Sequence, residues 1–190
     1  MEEDLALIDE FLQGNESSFN RLVVKYQTKV FNIIYGILGN YEETNEAAQD
    51  VFVNVYRALN KFRRESTFST WLYRITVNTA KNRYVRMKRL SKNTLSMDAP
   101  LITEDGTIER SIADPKNTED EILRKELQAK ISESIDQIPL KYKEVLVMRD
   151  IENMDYKEIQ GITGLNEGTI KSRLHRGRWC LKEILKGATL

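Results

Sequence analysis

Residues 62–89 read FRRESTFSTWLYRITVNTAKNRYVRMKR. No acid follows Glu65 until Asp98, and the interval carries Arg74, Lys81, Arg83, Arg86, Lys88, Arg89 and Lys92. Interleaved are Phe68, Trp71, Tyr73 and Tyr84. Cations beside exposed rings suit unpaired nucleic acid, because the cations track phosphates while the rings stack on bases. Ser69 or Thr70 is placed to N-cap a helix, and Trp71, Leu72, Ile75 and Thr79 then share a packing face. Arg74, Lys81 and Lys88 recur every seven residues as a separate basic stripe, with Asn78 beside it as an amide able to bond bases. The competing reading is a solvated basic helix, with Trp71 in the core under either.

Upstream, the spacing predicts three helices. Leu5, Ile8, Phe11 and Leu12 mark the first, which ends at Gly14-Asn15. Ser17 or Ser18 is placed to cap the second, whose apolar positions are Phe19, Leu22, Val23, Tyr26, Val30, Ile33, Ile34 and Ile37. The third starts between Tyr41 and Thr44 and runs to about Asn60, with Ala47, Val51, Val55 and Leu59 on one stripe. Four helices with short connections imply a compact bundle over residues 1–90.

Downstream, composition changes after Leu90. Residues 91–120 hold Pro100, Gly106, Pro115 and mostly acidic charge, which reads as a flexible or extended linker; docking on the bundle through its few aliphatics is the other option. Helical periodicity returns at Glu119, with Ile122, Leu123, Leu127, Ile131 and Ile135 on one face. Pro139 opens a further helix carrying Tyr142, Val145, Leu146 and Met148.

The run DYKEIQGITGLNEGTIKSRLHRGR, from Asp155, fits a helix-turn-helix. Ile159 and Ile162 face inward, Gly164 permits the turn, Asn166 can cap, and Ile170 and Leu174 pack the second helix on the first. Thr169, Lys171, Ser172, Arg173 and Arg176 are then left outward, near a helix end of the kind that enters a major groove. Arginine can bridge the guanine acceptors, whereas Ser and Thr are less selective. The small residue usual in the middle of the first helix is Gln160 here, with Gly161 next. A helical hairpin with a basic outer face is the alternative. His175, with no second ligand residue suitably placed, reads as a solvent or phosphate contact, and no metal or cofactor is expected.

The chain has 190 residues and zero formal net charge, unevenly spread. Acids gather at Glu42, Glu43, Glu46 and Asp50 and again from Glu104 to Glu121, while bases gather at 74–92 and 171–186. The single Cys180 excludes an intramolecular disulfide and reads as a packing residue. There is no long apolar run and the start is acidic, which implies a cytoplasmic protein without direct membrane insertion. The expected class is all-α: two small helical domains joined by a flexible acidic linker.

Four motifs in this order, FNRLVVKYQTKVFNI, EAAQDVFVNVYRAL, STFSTWLYRITVNTAKN and YKEIQGITGLNEGTIKSRLHRGR, resemble the extracytoplasmic-function sigma factors of bacterial RNA polymerase, particularly the sigma-E-like subgroup. The resemblance implies that residues 1–90 are sigma region 2, a four-helix bundle, and 121–190 sigma region 4, with its helix-turn-helix. It implies that Gln49, Asp50, Phe52 and Arg57 bind the clamp of the largest polymerase subunit, and that region 4 meets the flap of the second-largest. It places Phe62, Arg64, Ser66, Thr67 and Phe68 in a loop that captures a base flipped from the −10 element. Arg74, Asn78, Lys81 and Asn82 would hold the melted strand, and the second helix of region 4 would read the −35 element. The function implied is an alternative sigma factor, without catalysis, for a stress regulon. It would bind core polymerase and promoter DNA, double- and single-stranded, and would be restrained by an anti-sigma factor, often membrane-anchored. A conventional regulator and a DNA-processing enzyme are the other classes. The first lacks a receiver-like alternation of strands and helices in 1–90. The second lacks an Arg/His cluster around a nucleophile.

Overall fold

The computed structural model describes residues 2–97 and 137–187. Among them every regular element is helical. Helix α1 (Glu2–Leu12) and α2 (Glu16–Leu38) are followed by α3 (Tyr41–Ala58), a 3₁₀ turn (Leu59–Lys61) and α4 (Phe68–Met97). The second half holds α5 (Leu140–Leu146), a π-turn (Val147–Ile151), α6 (Tyr156–Thr163) and α7 (Glu167–Gly187). The helix expected at 119–135 and the linker beyond residue 97 lie outside the described residues. Helix α4 continues to Met97, past the change of composition at Leu90.

The bundle forms because α2 is apolar on more than one side. Val30, Ile33, Ile34 and Ile37 are completely buried, and each such side chain stabilises the fold by about 1.5–3 kcal/mol. The stripe Ala47, Val51, Val55 and Leu59 of α3 closes on it as its spacing requires. In α1 the buried pair is Leu7 and Ile8, whereas Leu12 is 48% exposed. Asp4 pins α1 to α2: it accepts from the Tyr26 hydroxyl at 2.8 Å and the Lys25 ammonium at 2.7 Å. Burial, reinforced by Asp4, pushes the Tyr26 hydroxyl well above its ordinary pKa and keeps it a donor.

The caps differ from the expected ones by a residue or more. Asn15, not Ser17 or Ser18, caps α2. Thr67 caps α4, its Oγ1 accepting from the Thr70 amide at 3.1 Å, where Ser69 or Thr70 was expected. Both caps are short polar side chains that satisfy an otherwise orphan amide. The buried face of α4 also differs. Phe68, Leu72, Tyr73, Thr76, Val77 and Ala80 are buried, while Trp71, Ile75 and Thr79 are half-buried, so the packing arc is rotated from the expected one. The Thr76 hydroxyl is buried without cost because it donates to the Leu72 carbonyl at 2.9 Å.

Arg83 fastens α4 to α3. Its side chain is 8% exposed and its guanidinium pairs with Glu43, Glu46 and Asp50, three of the acids that the sequence grouped as one cluster. Replacing Arg83 with methionine keeps most of the packing volume and removes the charge. The stranded carboxylates are 33–69% exposed and rehydrate, so the expected loss is only about 1–2 kcal/mol in denaturant unfolding of the full chain. A loss well above that range would mean that α3 and α4 depend on this clasp to pack at all.

The two halves pack together. The π-turn residue Val147 is fully buried against Gly36 of α2; a Cβ on Gly36 would lie 2.7 Å from a Val147 methyl, so only glycine admits this approach. Beside it Lys143, 1% exposed, points its ammonium at the Ile37 carbonyl, 3.4 Å away, and lies 4.8 Å from the Tyr84 ring centre. Helix α6 lies along α4.

Candidate nucleic-acid interface

Three surfaces follow from this packing. The first is the amino-terminal half of α7. The turn before it is made by Gly164 at φ +73°, and Asn166 caps the helix, accepting from the Thr169 amide at 2.8 Å. Helix α6 is fixed by a capping box that sequence reasoning missed: the Glu158 amide donates to Asp155, and the Asp155 amide to Glu158, both at 2.8 Å. The signal was present as D-x-x-E before an apolar run. Ile159, Ile162, Ile170 and Leu174 are buried between the two helices, as their spacing predicts.

That packing sorts the five polar positions of α7. Lys171, Ser172 and Arg176 are exposed and Thr169 is half-buried. Arg173 is not free on the outer face as expected; it is 25% exposed and donates to Glu144 of α5 at 2.9 Å. The reason is that position 173 lies beside the buried Leu174, on the flank that meets α5. Arg176 donates to the Tyr142 hydroxyl at 3.2 Å; that bond, with the arginine charge, holds the phenol below its ordinary pKa. Lys171 pairs with Glu167 one turn earlier at 2.6 Å. His175 is exposed. Farther along α7, Cys180 is half-buried and Trp179 is 60% exposed, so Cys180 is less of a core residue than expected among the described residues.

The second surface is the loop 62–67 with α4. Of its expected residues, Arg64 is exposed, Phe62, Ser66 and Thr67 are half-buried, and Phe68 is 3% exposed. Phe68 therefore sits beneath the loop, because the first turn of α4 must cover α2; its ring stands edge-on to Tyr26 with centres 5.5 Å apart. Phe62, Phe68 and Trp71 form a tilted cluster with centres 5.3–6.0 Å apart, a floor rather than a row of free rings. Tyr73 is also buried, and that burial pushes its hydroxyl well above the ordinary range. The exposed stacking platform read from the sequence is thus corrected: Phe68 and Tyr73 are core, and Trp71 and Tyr84 are half-buried. Arg64 holds a left-handed conformation (φ 57°) unusual for a non-glycine residue and pairs with Asp9 of α1.

Arg74, Asn78 and Lys81 do share one face of α4, being spaced four and three residues apart; Asn82 is exposed beside them. The carboxy-terminal half covers part of this face. Arg74 donates to the Gly161 carbonyl of α6 at 2.5 Å, and Lys81 lies 2.7 Å from Glu144.

The third surface is an open groove of about 760 Å³ between α2 and α3, lined by Val23, Phe31, Tyr41, Gln49 and Phe52 among others. Gln49 and Asp50 are exposed and Phe52 half-buried, with Arg57 exposed farther along α3. Phe31 and Tyr41 meet edge-on at 5.5 Å. No helix among the described residues is long and apolar enough to cross a membrane.

Comparison with known proteins finds two family regions along the chain. The family profile of Sigma-70 region 2 matches residues 22–90, and that of Sigma-70 region 4 matches 128–181. The chain is 32% identical to the RNA polymerase sigma-H factor of Pseudomonas aeruginosa, over 97% of this chain and 95% of that one. It is 36% identical to the ECF RNA polymerase sigma-E factor of Haemophilus influenzae, over 92% and 91%. Among solved structures, the fold matches that of CnrH in complex with the cytosolic domain of CnrY, with a TM-score of 0.71 at 19% identity, covering 97% of this chain and 98% of that one. It also matches the sigma factor RpoE in complex with the anti-sigma factor NepR from Bartonella quintana, with a TM-score of 0.62 at 19% identity, covering 88% and 96%. Identity sustained over nearly the whole length, together with both regions in their order, means that the chain belongs to the sigma-70 family of RNA polymerase sigma factors, in its extracytoplasmic-function group.

Proposed function

We propose that this alternative sigma factor works as a dissociable, non-catalytic initiation factor in the cytoplasm, on promoters of a stress regulon. Residues 1–90 act as region 2 and 121–190 as region 4, joined through 91–120. Region 2 docks on the polymerase clamp through the α2–α3 groove, with Gln49, Asp50, Phe52 and Arg57 at or beside it, and region 4 on the flap. Helix α7 reads the −35 element through Lys171, Ser172 and Arg176. Thr169 stands at its start, and Arg173 contributes from its ion pair. Arg64, Ser66 and Thr67 with Phe62 form the rim of the −10 loop, and Arg74, Asn78, Lys81 and Asn82 hold the melted strand. Opening the duplex costs a few kcal/mol of lost stacking, which contacts to the captured base and the backbone offset.

One observation carries this reading: a single chain presents a capped, outward basic helix end and, on another helix, a polar-basic face made by Arg74, Asn78 and Lys81. The first suits duplex DNA and the second suits a single strand. Two solved structures that share this fold are complexes, one with the cytosolic domain of CnrY and one with the anti-sigma factor NepR. Restraint by a comparable partner, membrane-anchored or not, is the expected regulation. Run-off transcription with purified core polymerase on a genomic promoter library tests the function. Specific transcripts that require the protein are expected. Promoter binding without core polymerase would favour a conventional regulator instead.

A further inference from the structure

Trp179 of α7 is 60% exposed and is the largest exposed apolar side chain among the described residues. Its direction is set from the opposite side of the helix. Gly177 is buried where α7 meets α5: a Cβ there would lie 3.2 Å from a Leu146 methyl and 3.4 Å from the Tyr142 carbonyl oxygen. Residues two apart on a helix project about 200° apart, so Trp179 faces away from α5. Between them, Arg178 donates twice to Asp150 of the π-turn, at 2.8 and 2.6 Å. The turn that carries Trp179 is therefore fastened on its inner side, and the indole projects from a fixed support.

On the outer side, Trp179 continues the stripe of Ser172 and Arg176, which is spaced by four residues and then three. His175 is exposed on the same arc and Lys182 is exposed one turn farther on. At 1.5 Å per residue Trp179 lies about 10 Å past Ser172, and a major groove is about 12 Å wide. With the first turns of α7 over base edges, the indole reaches the phosphate wall of the groove. The stripe changes character just beyond. Glu183 follows one turn after Trp179, paired with Lys186 at 3.2 Å. Phosphates repel a carboxylate, so the duplex-facing part of α7 ends between Trp179 and Glu183.

We propose that Trp179 is a DNA-binding residue that packs on the sugar–phosphate backbone at the rim of the −35 major groove. The indole suits that surface, because it combines an apolar face with one N–H donor and no acceptor. Its face covers a deoxyribose, and its Nε1–H donates to a phosphate oxygen. Such a contact fixes the position of α7 on the duplex and carries no base preference of its own. Lys182 adds a cation at the same level of the helix. This rests on the assignment of α7 to the −35 element given above.

The test uses holoenzyme reconstituted with the full chain and a fluorescein-labelled −35 duplex. Trp179→Ala should weaken binding about tenfold, as truncation of an interface tryptophan commonly does. The loss should be equal on the matched and the mutated element. The salt dependence should stay as it is, because no cation is removed. Thermal stability should also be unchanged, since the ring is exposed. At saturating holoenzyme, hydroxyl-radical footprinting should show sugars at one edge of the element losing protection. Trp179→Phe keeps a ring and should retain most of the affinity; a loss equal to that of alanine would overturn the packing on sugar. Unchanged affinity or footprint in Trp179→Ala, with Arg176→Ala impaired, would overturn this contact and leave α7 as the reading helix. Unchanged affinity in both variants would overturn that assignment too. Weaker binding of Trp179→Ala to core polymerase without DNA would give the ring to the polymerase and end the proposal.

Discussion

Replacing Arg176 with alanine is expected to weaken binding of the reconstituted holoenzyme to a −35 duplex by roughly tenfold to a hundredfold, with thermal stability unchanged. Arg176 is exposed and donates only to the Tyr142 hydroxyl, which is itself on the surface side of α5, so truncation strands no buried group. An arginine that bridges guanine acceptors is worth about 1–3 kcal/mol of base discrimination, which sets the range. Arg173→Ala is expected to behave differently. Arg173 is 25% exposed and satisfies Glu144, so its removal leaves a buried carboxylate short of a partner and lowers stability together with binding. Lys171→Ala should weaken all sequences alike and reduce the salt dependence of binding by about one counterion, as a phosphate contact does. Anisotropy titrations at several salt concentrations, on the matched and the mutated element, separate the three. Equal loss of core-polymerase binding in Arg176→Ala would count against α7 as the base-reading helix.

Much of the fold could be read from periodicity because its helices are amphipathic and well separated by stop signals. The stripe of α3 and the four inward aliphatics of α6 and α7 are buried as their spacing predicts. The face of α4 was legible only in part. This helix is covered on two sides, by α2 and α3 and by α6, so its buried arc is wider than one stripe and takes in Thr76 and Tyr73. Aromatic residues in a basic segment carry no mark that separates a ring for stacking from a ring for packing, and Phe68 and Tyr73 proved to be the latter. Charge misled in the same manner. Arg83 reads as one more cation in a basic run, yet it is the clasp between α3 and α4. Lys143 and Glu144 carry no local sign of burial in a short charged helix, yet both are buried where the halves meet. Pairings across a long sequence separation leave no local pattern. The cap of α6, by contrast, was written locally and could have been found.

Phe68→Ala and Asn78→Ala are expected to separate folding from melting in the same helix. Phe68 is 3% exposed, stacks edge-on against Tyr26 and supports Phe62 and Trp71 beneath the loop. Truncating a buried phenylalanine costs about 3–5 kcal/mol, part of it from the cavity left behind, which is a large share of a small domain's stability. The variant should unfold in much less denaturant and lose the loop with the bundle, so its failure in transcription would carry no information on base capture. Asn78 lies on the exposed face between Arg74 and Lys81. Its replacement by alanine should change stability by no more than about 0.5 kcal/mol, as for other surface sites. If its amide bonds the melted strand, loss of that contact is worth about 1–1.5 kcal/mol, or about tenfold fewer open complexes at equilibrium. Permanganate footprinting of the holoenzyme on a promoter, beside denaturant curves of both variants, reads the two effects independently. Normal opening by Asn78→Ala would move the strand off this face of α4. Near-normal stability of Phe68→Ala would mean that the ring is held by the loop and not by the core, and would return it to the residues available for a flipped base.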